Sequence, residues 1–533
     1  MPLPLQEIAQ SDGTSSIVRL TENGLEIFSP QPAVAVPRTS LIPERPLLPG
    51  EQYRFHFDMT KCIGCRSCEV ACNEQNGNPA DLRWRRIGEI EGGTWPDTDR
   101  FYLSMGCNHC LSAECLKGCP VDAYKKDPDT GIVLHSAEAC IGCQYCVWNC
   151  PYSVPQFNPE RGVVGKCDMC HGRLTDGLEP ACVNACPENA IEIEIVDQLE
   201  WRSDYAAANA PGMPSAGHTI STTRITLPEN AAATLERVDM ETLSPEHPHW
   251  SLVWMTSLIQ LSVGALLVAV LSRNAGPIAL TLLLGLTAFT LNISVFHLGR
   301  PAYAWRALKM WRRSWLSREV LLFGLFFCAL TTLAAAAWLT AMHLLPLAVV
   351  VIPLLQITAP TLGIAGILAS AYIYLVPARP AWNMLHTPID FLISSVMLGS
   401  AAAPLLLRST SLLHRLPQLH SLALSPHTSF PLWSLILSCT LWMINHIVRV
   451  VRLNISVLYE HRASSSLLNT DDLRGTFLVS FALVGLALLL TLTGYPLPAL
   501  PAALGGVISA RYLFFVSVVP LNMALTFVRS VHA

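Results

Sequence analysis

Residues 140–151 read CIGCQYCVWNCP, in which four cysteines follow one another at spacings of two, two and three residues and a proline follows the last. A second run, CIGCRSCEVAC at residues 62–72, has the same spacing. A tight loop of this kind directs three thiolates at one iron–sulfur cubane, and the fourth cysteine, on the helix that follows, ligates the other cluster of a pair. Each run therefore serves two clusters, and we expect the runs to occur in pairs.

The rest of the cysteines extend this arrangement. Of the 18 cysteines in the chain, sixteen lie between Cys62 and Cys186 in four groups of four, and a proline follows the last cysteine of three groups. The groups are Cys62, Cys65, Cys68 and Cys72; Cys107, Cys110, Cys115 and Cys119; Cys140, Cys143, Cys146 and Cys150; and Cys167, Cys170, Cys182 and Cys186. Thiolates suit both zinc and iron–sulfur clusters, but four linked groups with the Cys-Pro ending favour [4Fe–4S] clusters. Spacing alone leaves open which groups share clusters.

The amino-terminal sequence bears on whether these cysteines form disulfides instead. Residues 1–16, MPLPLQEIAQSDGTSS, contain no basic segment followed by an apolar one and no twin arginine. No secretory signal is therefore predicted. We expect the cysteine-rich region to lie in the reducing cytoplasm, where disulfides are rare and metal ligation is the better interpretation.

The composition is that of a membrane protein. Hydrophobic residues make up 51% of the 533 residues and charged residues only 14%, whereas soluble domains carry about a quarter charged residues. The net charge of −4 gives no indication of nucleic-acid binding. From residue 249 onward, eight apolar runs are long enough to span a bilayer, for which about 20 residues are needed. These runs are approximately 251–271, 278–298, 319–342, 347–375, 388–407, 430–450, 475–494 and 504–528.

Three stretches of the cysteine-rich region resemble a known family. CNHCLSAECLKGCPVDAY, CIGCQYCVWNCPYSVPQFN and KCDMCHGRLTDGLEPACVNACP are similar to the four-cluster electron-transfer subunit of the dimethyl sulfoxide reductase family of molybdoenzymes. The resemblance covers residues 51–196 and implies that groups one and four pair, as do groups two and three. The implied ligand sets are Cys62, Cys65, Cys68 and Cys186; Cys72, Cys167, Cys170 and Cys182; Cys107, Cys110, Cys115 and Cys150; and Cys119, Cys140, Cys143 and Cys146. Some relatives lack a cysteine in the third group, but this chain has it, so four complete cubanes are expected.

The predicted architecture has four parts. Residues 1–50 form an extended, proline-rich arm, and residues 51–196 form an α+β ferredoxin-like iron–sulfur domain of two pseudo-repeated dicluster units, in which the alternating stretch at 190–196 is expected to be a strand. Residues 197–248 are polar and are interpreted as a linker or cap. Residues 249–533 are predicted to be an all-α bundle of eight transmembrane helices.

Two stretches of the membrane half resemble the anchor subunit of the same family. They are HLGRPAYAWRALKMWRRSWLSREV at residues 297–320 and SAYIYLVPARPAWN at residues 370–383. In that family a histidine and a glutamate in the first stretch serve a quinol site, which implies this role for His297 and Glu319. Arg300, Ser317 and Trp382 are further candidates for contact with the quinone. A quinone exchanges two electrons and two protons, and histidine titrates near neutrality.

Other interpretations of the membrane residues stay open. His297 could simply cap a helix at the interface, and Arg300 and Arg318 could simply mark the cytoplasmic side. Asp390, His446 and Arg511 are interpreted as packed polar contacts, although ionisable residues inside spans are functional candidates by default. Haem is not expected, because the span histidines show no paired pattern for axial ligation.

The distribution of positive charge predicts the orientation. After residue 250, the loops and terminus on the side of the cysteine-rich domain hold twelve lysines and arginines, whereas the other side holds three. The positive-inside rule then places the iron–sulfur domain and both termini in the cytoplasm of an inner-membrane protein. Dimethyl sulfoxide reductase itself has the opposite orientation. In orientation the resemblance is nearer to the cytoplasm-facing, membrane-bound sulfite dehydrogenases. Their cluster and anchor subunits are normally separate, whereas this chain resembles a fusion of the two.

The resulting hypothesis is an electron-transfer and quinone-reactive subunit of an oxidoreductase. A separate molybdopterin-containing subunit would oxidise sulfite, and electrons would pass through four [4Fe–4S] clusters to the membrane quinone pool in the lipid bilayer. One alternative is a quinol-oxidising reductase of a sulfoxide, polysulfide or other oxyanion. Another is a membrane-tethered iron–sulfur redox sensor, although a sensor needs one cluster and not four.

Overall fold

The computed structural model describes residues 6–9, 15–21, 24–28, 40–229, 235–238, 243–342, 344, 348–413 and 429–521. Part of the predicted extended arm is a three-stranded antiparallel sheet in the order β1–β2–β3, formed by β1 (Gln6–Ala9), β2 (Ser15–Thr21) and β3 (Gly24–Phe28). These residues of the predicted extended arm are paired strands, since the β-branched residues in SSIVRLT favour strands. The proline-rich residues 29–39 lie outside the described residues.

The iron–sulfur domain is built from short elements around long cysteine loops, as the α+β prediction requires. Its elements are β4 (Glu51–Asp58), α1 (Ser67–Asn76), β5 (Arg86–Thr94), β6 (Asp97–Met105), α2 (Glu114–Gly118), β7 (Tyr124–Lys126), β8 (Val133–His135), α3 (Tyr145–Asn149), β9 (Gln156–Asn158), β10 (Val163–Gly165), α4 (His171–Thr175), α5 (Ala181–Asn184) and β11 (Ile191–Asp197). The predicted strand at 190–196 is confirmed by β11, which pairs antiparallel with β4, Ile193 opposite Phe55.

The segment interpreted as a linker or cap is part of the domain. It contains α6 (Gln198–Ser203), two short 3₁₀ turns, β12 (Arg224–Thr226) and β13 (Glu236–Arg237). Strand β12 extends the sheet of β4 and β11, giving the order β11–β4–β12. Strand β13 pairs with the other edge of β5, giving the order β13–β5–β6. The indole of Trp201 on α6 is buried and donates a hydrogen bond to the Ser221 carbonyl at 2.8 Å. The segment is therefore a cap whose backbone completes two sheets.

The membrane half confirms the prediction of an all-helical region with eight spans. Eight of its helices are long and apolar enough to cross a bilayer. The helices are α7 (Trp250–Leu271), α8 (Pro277–Val295), α9 (Trp315–Ala341), α10 (Ala348–Ile373), α11 (His386–Leu413), α12 (Ser429–Asn454), the short α13 (Tyr459–Leu467), α14 (Asp471–Leu492) and α15 (Pro496–Val516). A 3₁₀ helix, Pro301–Leu308, lies between α8 and α9.

The eighth span differs most from its predicted bounds. The apolar run predicts a helix at 504–528, but α15 begins at Pro496 and ends at Val516. Proline is well suited to the first position of a helix, where its missing N–H is not needed. Ser517 and Pro520 lie inside the predicted run, and the helix ends immediately before them. Residues 522–533 lie outside the described residues.

The iron–sulfur domain packs on one end of the helix bundle. Trp148 of α3 enters the bundle, where its ring centroid lies 5.3 Å from that of His249, 5.9 Å from that of Tyr374 and 6.4 Å from that of Phe515. These three residues flank the start of α7 and the ends of α10 and α15. The near end of the bundle is therefore formed by the starts of α7, α9, α11 and α14 and by the ends of the helices that alternate with them.

Candidate functional site

The sixteen cysteines gather into four sets. Two sets each line one small cavity: Cys62, Cys65, Cys68 and Cys186 form site 1, and Cys107, Cys110, Cys115 and Cys150 form site 2. In the other two sets the thiols interact electrostatically with one another: Cys119, Cys140, Cys143 and Cys146 form site 3, and Cys72, Cys167, Cys170 and Cys182 form site 4. Site 4 also interacts with neighbouring sites, through Cys72 with Cys68 of site 1 and through Cys167 with Cys107 of site 2. Each set joins three cysteines of one group to one cysteine of another.

The chemistry of these sets fits iron–sulfur clusters. Burial raises the pKa of the thiols of Cys68, Cys72, Cys110 and Cys143 to about 12. At neutral pH these thiols keep their protons until a metal binds, so metal binding must release the protons. Thiolate sulfur is a soft ligand, which suits iron–sulfur clusters. Four thiols around one enclosed space match the ligand number of a cubane cluster.

The loop that holds site 3 is also the loop that contacts the membrane half. The backbone N–H of Arg300 donates to the Ile141 carbonyl at 3.1 Å, and the N–H of Gly299 donates to the Gly142 carbonyl at 3.3 Å. A Cβ atom on Gly299 would lie 2.2 Å from the carbonyl oxygen of Gly162. The two halves therefore approach backbone to backbone at this point, and only glycine fits there.

Polar side chains add to this contact. The Ser314 hydroxyl donates to the Gly118 carbonyl at 2.6 Å, and the Ser317 hydroxyl donates to the Pro120 carbonyl at 3.4 Å. The Arg300 guanidinium donates to the Ala137 carbonyl at 2.8 Å. Ser317 and Arg300, both predicted to contact the quinone, thus bind the iron–sulfur domain.

A cavity of about 310 Å³ lies beneath this contact, between the third cysteine group and α7, α8, α9 and α10. Its wall is largely apolar, with a few convergent polar groups, as is typical of small-molecule sites. The polar and aromatic lining residues are Cys143, Tyr145, Trp148, Ser294, His297, Trp305, Glu319, Phe323 and Tyr374. Both residues predicted to be catalytic, His297 and Glu319, are therefore in the wall together with a cysteine of site 3.

The two predicted residues are held in different ways. The Nδ1 atom of His297 forms a hydrogen bond with the Ser294 carbonyl, one turn back along the chain. A carbonyl can only accept, so Nδ1 carries the proton in the neutral ring and Nε2 is left as the acceptor. Glu319 lies in the first turns of α9, buried, and interacts electrostatically with Tyr145 and Tyr374. The cavity thus contains an imidazole and a carboxyl group beside a cluster loop.

Several lining residues were not singled out from the sequence, and three of them are aromatic residues next to the cluster loop or at the end of α10. Tyr145 and Trp148 stand within CIGCQYCVWNCP, and Tyr374 stands within SAYIYLVPARPAWN. Large aromatic residues between cluster ligands are a signal that could have been noticed, because in a cluster loop facing solvent these side chains would be left exposed. Trp382, also predicted to contact the quinone, is not in the cavity wall. Its indole donates to the Phe514 carbonyl at 2.7 Å and packs edge-on against Trp148.

Asp390, His446 and Arg511 form a buried ionic cluster away from the cavity. The Asp390 carboxylate lies 2.9 Å from Nε2 of His446 and 3.1 Å from Nη2 of Arg511. The Arg511 guanidinium also donates to the Gln260 side chain at 3.3 Å and stacks over Phe391 at 3.9 Å. The interpretation of these residues as packed polar contacts agrees with their positions, which join α7, α11, α12 and α15.

Comparison with known proteins places both halves of the protein. Residues 98–195 match the family model of a 4Fe-4S dicluster domain, and residues 243–497 match that of the DMSO reductase anchor subunit (DmsC). A polypeptide of the anaerobic dimethyl sulfoxide reductase of Haemophilus influenzae is 38% identical over 174 residues, which are 31% of this chain and 84% of that polypeptide.

Two further relatives broaden the family. A polypeptide of the sulfite dehydrogenase of Allochromatium vinosum is 35% identical over 155 residues, which are 25% of this chain and 65% of that polypeptide. The formate dehydrogenase iron-sulfur subunit of Haemophilus influenzae is 32% identical over 187 residues, which are 31% of this chain and 60% of that protein. All three are parts of oxidoreductases. The chain therefore belongs to the dimethyl sulfoxide reductase family, as an electron-transfer iron–sulfur subunit fused to a multi-pass membrane anchor that partners a catalytic subunit.

Proposed function

We propose that this chain carries electrons through four [4Fe–4S] clusters between a molybdopterin-containing catalytic subunit and the membrane quinone pool. The observation that carries the proposal is the cavity whose wall combines Cys143 of site 3 with His297 and Glu319. A quinone head in this cavity would be adjacent to a cluster ligand on one side and to two proton-exchanging groups on the other.

The number of clusters rests on four complete thiol sets. Each site has four cysteines, at least two of which are buried. We expect about sixteen iron atoms and sixteen acid-labile sulfides per chain. Zinc in place of iron, or a three-iron EPR signal in anaerobically purified protein, contradicts this count.

The cavity residues suit proton-coupled chemistry at a quinone. When bound, the clusters supply single electrons, so two electrons arrive in succession. Reduction of a quinone to a quinol also consumes two protons, one at each ring oxygen. The Nε2 atom of His297 and the carboxyl group of Glu319 are the groups that hold and deliver these protons, while Tyr145, Trp148 and Phe323 exclude bulk water. General acids and bases act in this way when they lie within hydrogen-bond reach of the reacting oxygen.

Sulfite is the substrate we propose for the complex. Oxidation of sulfite with one water gives sulfate, two protons and two electrons, and the two electrons reduce one quinone. The relative from the sulfite dehydrogenase of Allochromatium vinosum supports this assignment. So does the twelve-to-three distribution of lysine and arginine, which favours a cytoplasmic iron–sulfur domain at the inner membrane. Of these residues, Arg415 and Arg529 lie outside the described residues.

The alternative is a reductase that oxidises quinol and reduces a sulfoxide or another oxyanion. It is favoured by the relative from the anaerobic dimethyl sulfoxide reductase of Haemophilus influenzae, of which the match covers 84%. Purification of the complex in mild detergent, molybdenum analysis and assays in both directions separate the two. Sulfite-dependent reduction of a quinone analogue supports the first assignment, and quinol-dependent reduction of a sulfoxide supports the second.

The quinone site is tested by His297→Ala and Glu319→Gln. We expect His297→Ala to abolish quinone turnover while all four clusters and the dye-linked activity of the complex are retained. Glu319→Gln should have the same effect in milder form, because the amide keeps the hydrogen-bonding shape but cannot exchange a proton. His461→Ala is the matched control, since His461 bonds Ser456 at 2.8 Å outside the cavity wall. Wild-type quinone turnover in both cavity variants would place the site elsewhere.

A further inference from the structure

Among the buried cations of the iron–sulfur domain, Arg85 and Lys166 each lie between two cysteine sites, whereas Arg86 interacts with Cys150 of site 2 alone. Arg85 immediately precedes β5 and its side chain is fully buried, with only 2% of the residue exposed. Lys166 immediately follows β10 and is 3% exposed. Burying a charge costs several kcal/mol unless a partner compensates for it. Among the described residues, neither cation is in a salt bridge with a carboxylate.

The surroundings of Arg85 leave part of its guanidinium without a protein partner. Its Nη1 donates to the Ser104 carbonyl and to the Ser104 hydroxyl, each at 3.2 Å, and that hydroxyl lies 3.2 Å from Sγ of Cys68 in site 1. Its Nε and Nη2 are buried and have no hydrogen-bond acceptor in the described protein. A Cβ on Gly106 would lie 3.4 Å from Nη2 and 3.7 Å from Sγ of Cys167, so Arg85 is also near site 4.

Lys166 occupies the corresponding position between the next two sites. Its ammonium group donates to the Cys167 carbonyl at 2.7 Å, to the Val133 carbonyl, and to Sγ of Cys107 in site 2 at 3.7 Å. Cys167 itself belongs to site 4. Lys166 therefore places its ammonium group where site 4 meets site 2.

We propose that Arg85 and Lys166 are positioning cations that raise the reduction potentials of the clusters they separate, Arg85 for sites 1 and 4 and Lys166 for sites 4 and 2. A cluster with four thiolates is negatively charged and gains a further negative charge on reduction. A fixed positive charge nearby stabilises the reduced form more than the oxidised form, and N–H groups directed at the sulfurs add to this.

The proposal explains why two unpaired cations are tolerated in the interior. The clusters provide the compensating negative charge that no carboxylate provides. The electrostatic stabilisation should differ from site to site. Of Arg85 and Lys166, site 4 is near both, sites 1 and 2 are near one each, and site 3 is near neither. Between sites 2 and 3 the buried residue is instead Tyr124, which interacts with Cys115, Cys119 and Cys146.

The test is an EPR-monitored redox titration of the purified complex without substrate or quinone. Each signal is first assigned through a ligand variant of its own site: Cys65→Ser, Cys110→Ser, Cys143→Ser and Cys170→Ser. We expect Arg85→Gln to shift the midpoint potentials of sites 1 and 4 to lower values and Lys166→Met to shift those of sites 4 and 2. Site 3 serves as the internal reference and should not move in either variant.

Two further variants separate charge from shape. Arg85→Lys keeps the charge and should restore the potentials of sites 1 and 4 at least in part. Arg54→Gln removes a partly buried arginine whose partner is Glu194 at 2.8 Å, so it should leave all four potentials unchanged. Unchanged potentials in Arg85→Gln and Lys166→Met, or equal shifts in Arg54→Gln, overturn the proposal.

Iron analysis of each variant covers the remaining outcomes. If Arg85→Gln loses iron, the decision rests on Lys166→Met, and unchanged potentials at sites 4 and 2 in that variant overturn the proposal. Loss of iron from both variants would make the two cations structural supports and would also overturn it. The inference rests on the four-cluster part of the proposed function, which the iron content of the unmodified protein tests separately, and it is independent of the substrate and of the quinone site.

Discussion

The loops at residues 62–68 and 140–146 share the letters C-I-G-C and the same cysteine spacing, and they adopt the same local structure. Gly64 and Gly142 have φ angles of 71° and 69°, and the residues two positions later, Arg66 and Gln144, have φ angles of 63° and 58°. Both loops lead directly into a helix, α1 or α3. The two loops therefore share one backbone conformation, which directs their thiols at a cluster.

Their surroundings are opposite. Ile63 is 59% exposed and Cys65 is exposed, whereas Ile141 is 1% exposed and Cys143 lines the membrane-side cavity. The space that Gly64 leaves open is taken by the ring of Tyr102 from the same domain, whereas the space beside Gly142 is taken by the Gly162 carbonyl and by Gly299 of the membrane half. One loop is thus accessible to a partner protein and the other is enclosed against the anchor, which gives the series of sites two distinct ends.

Cysteine substitutions at equivalent positions of the two loops should have the largest effects and should break the series at opposite ends. Both Cys65→Ser and Cys143→Ser are expected to reduce quinone turnover to background. In Cys143→Ser, substrate should still reduce sites 1, 4 and 2, because the break lies beyond them. In Cys65→Ser, substrate should reduce none of the later sites. EPR after substrate addition measures this difference, and a shared pattern in the two variants would contradict the assignment of the ends.

Substitutions of the isoleucines in the two loops should differ in their effect on the stability of the protein. Ile141→Ala removes a fully buried side chain and should lower the free energy of unfolding by about 2–5 kcal/mol. Ile63→Ala changes an exposed side chain and should stay within about 0.5 kcal/mol. Anaerobic denaturation followed by cluster absorbance measures both. Ile63→Ala should instead weaken binding of the catalytic subunit, and equal losses of stability in the two variants would count against the difference in burial.

The glycine contact beside the enclosed loop should have the smallest of these effects. Gly299→Ala places a Cβ 2.2 Å from the Gly162 carbonyl oxygen, so the backbones of the two halves must move apart. Overpacking of this kind costs about 1–3 kcal/mol, and quinone turnover should fall with it while substrate still reduces the clusters. Gly285→Ala on α8, where a Cβ would have no neighbour within 4 Å, is the control. Identical behaviour of the two variants would show that the close approach is unimportant.

Much of the fold could be predicted because its signals are local. Cysteine spacing fixes which thiols leave one loop together, and the bounds of the first seven spans followed from apolar runs that lipid requires to be helical. The hairpin sheet at β1–β3 could not be predicted, because its strands stand in a segment whose composition is rich in Pro, Ser and Thr. The pairing of β12 with β4 could not be predicted, because it depends on hydrogen bonds between segments that are distant in the chain.

The candidate site was predicted only in part. His297 and Glu319 line the cavity, but the family resemblance and not the spacing singled them out. Arg300 and Ser317 stand in the same quoted stretch, yet their side chains bind backbone carbonyls of the iron–sulfur domain. Proximity in sequence does not decide which side of a loop a residue presents, so the wall of the cavity could not be read from the motif alone.

By itself, the sequence determined that this protein has four groups of four cysteines and eight membrane spans, because a cluster loop directs its thiols, and a lipid-exposed helix pairs its backbone groups, within a short segment. Only the tertiary structure decided which of two nearly identical loops meets the membrane. It also brought Arg85 and Lys166 between the sites, and it brought Tyr145, Trp148 and Tyr374 to the cavity. These outcomes depend on contacts across more than a hundred residues, such as Gly142 with Gly299. No local preference of the sequence encodes a contact of that kind, because its energy arises only when both surfaces are already formed.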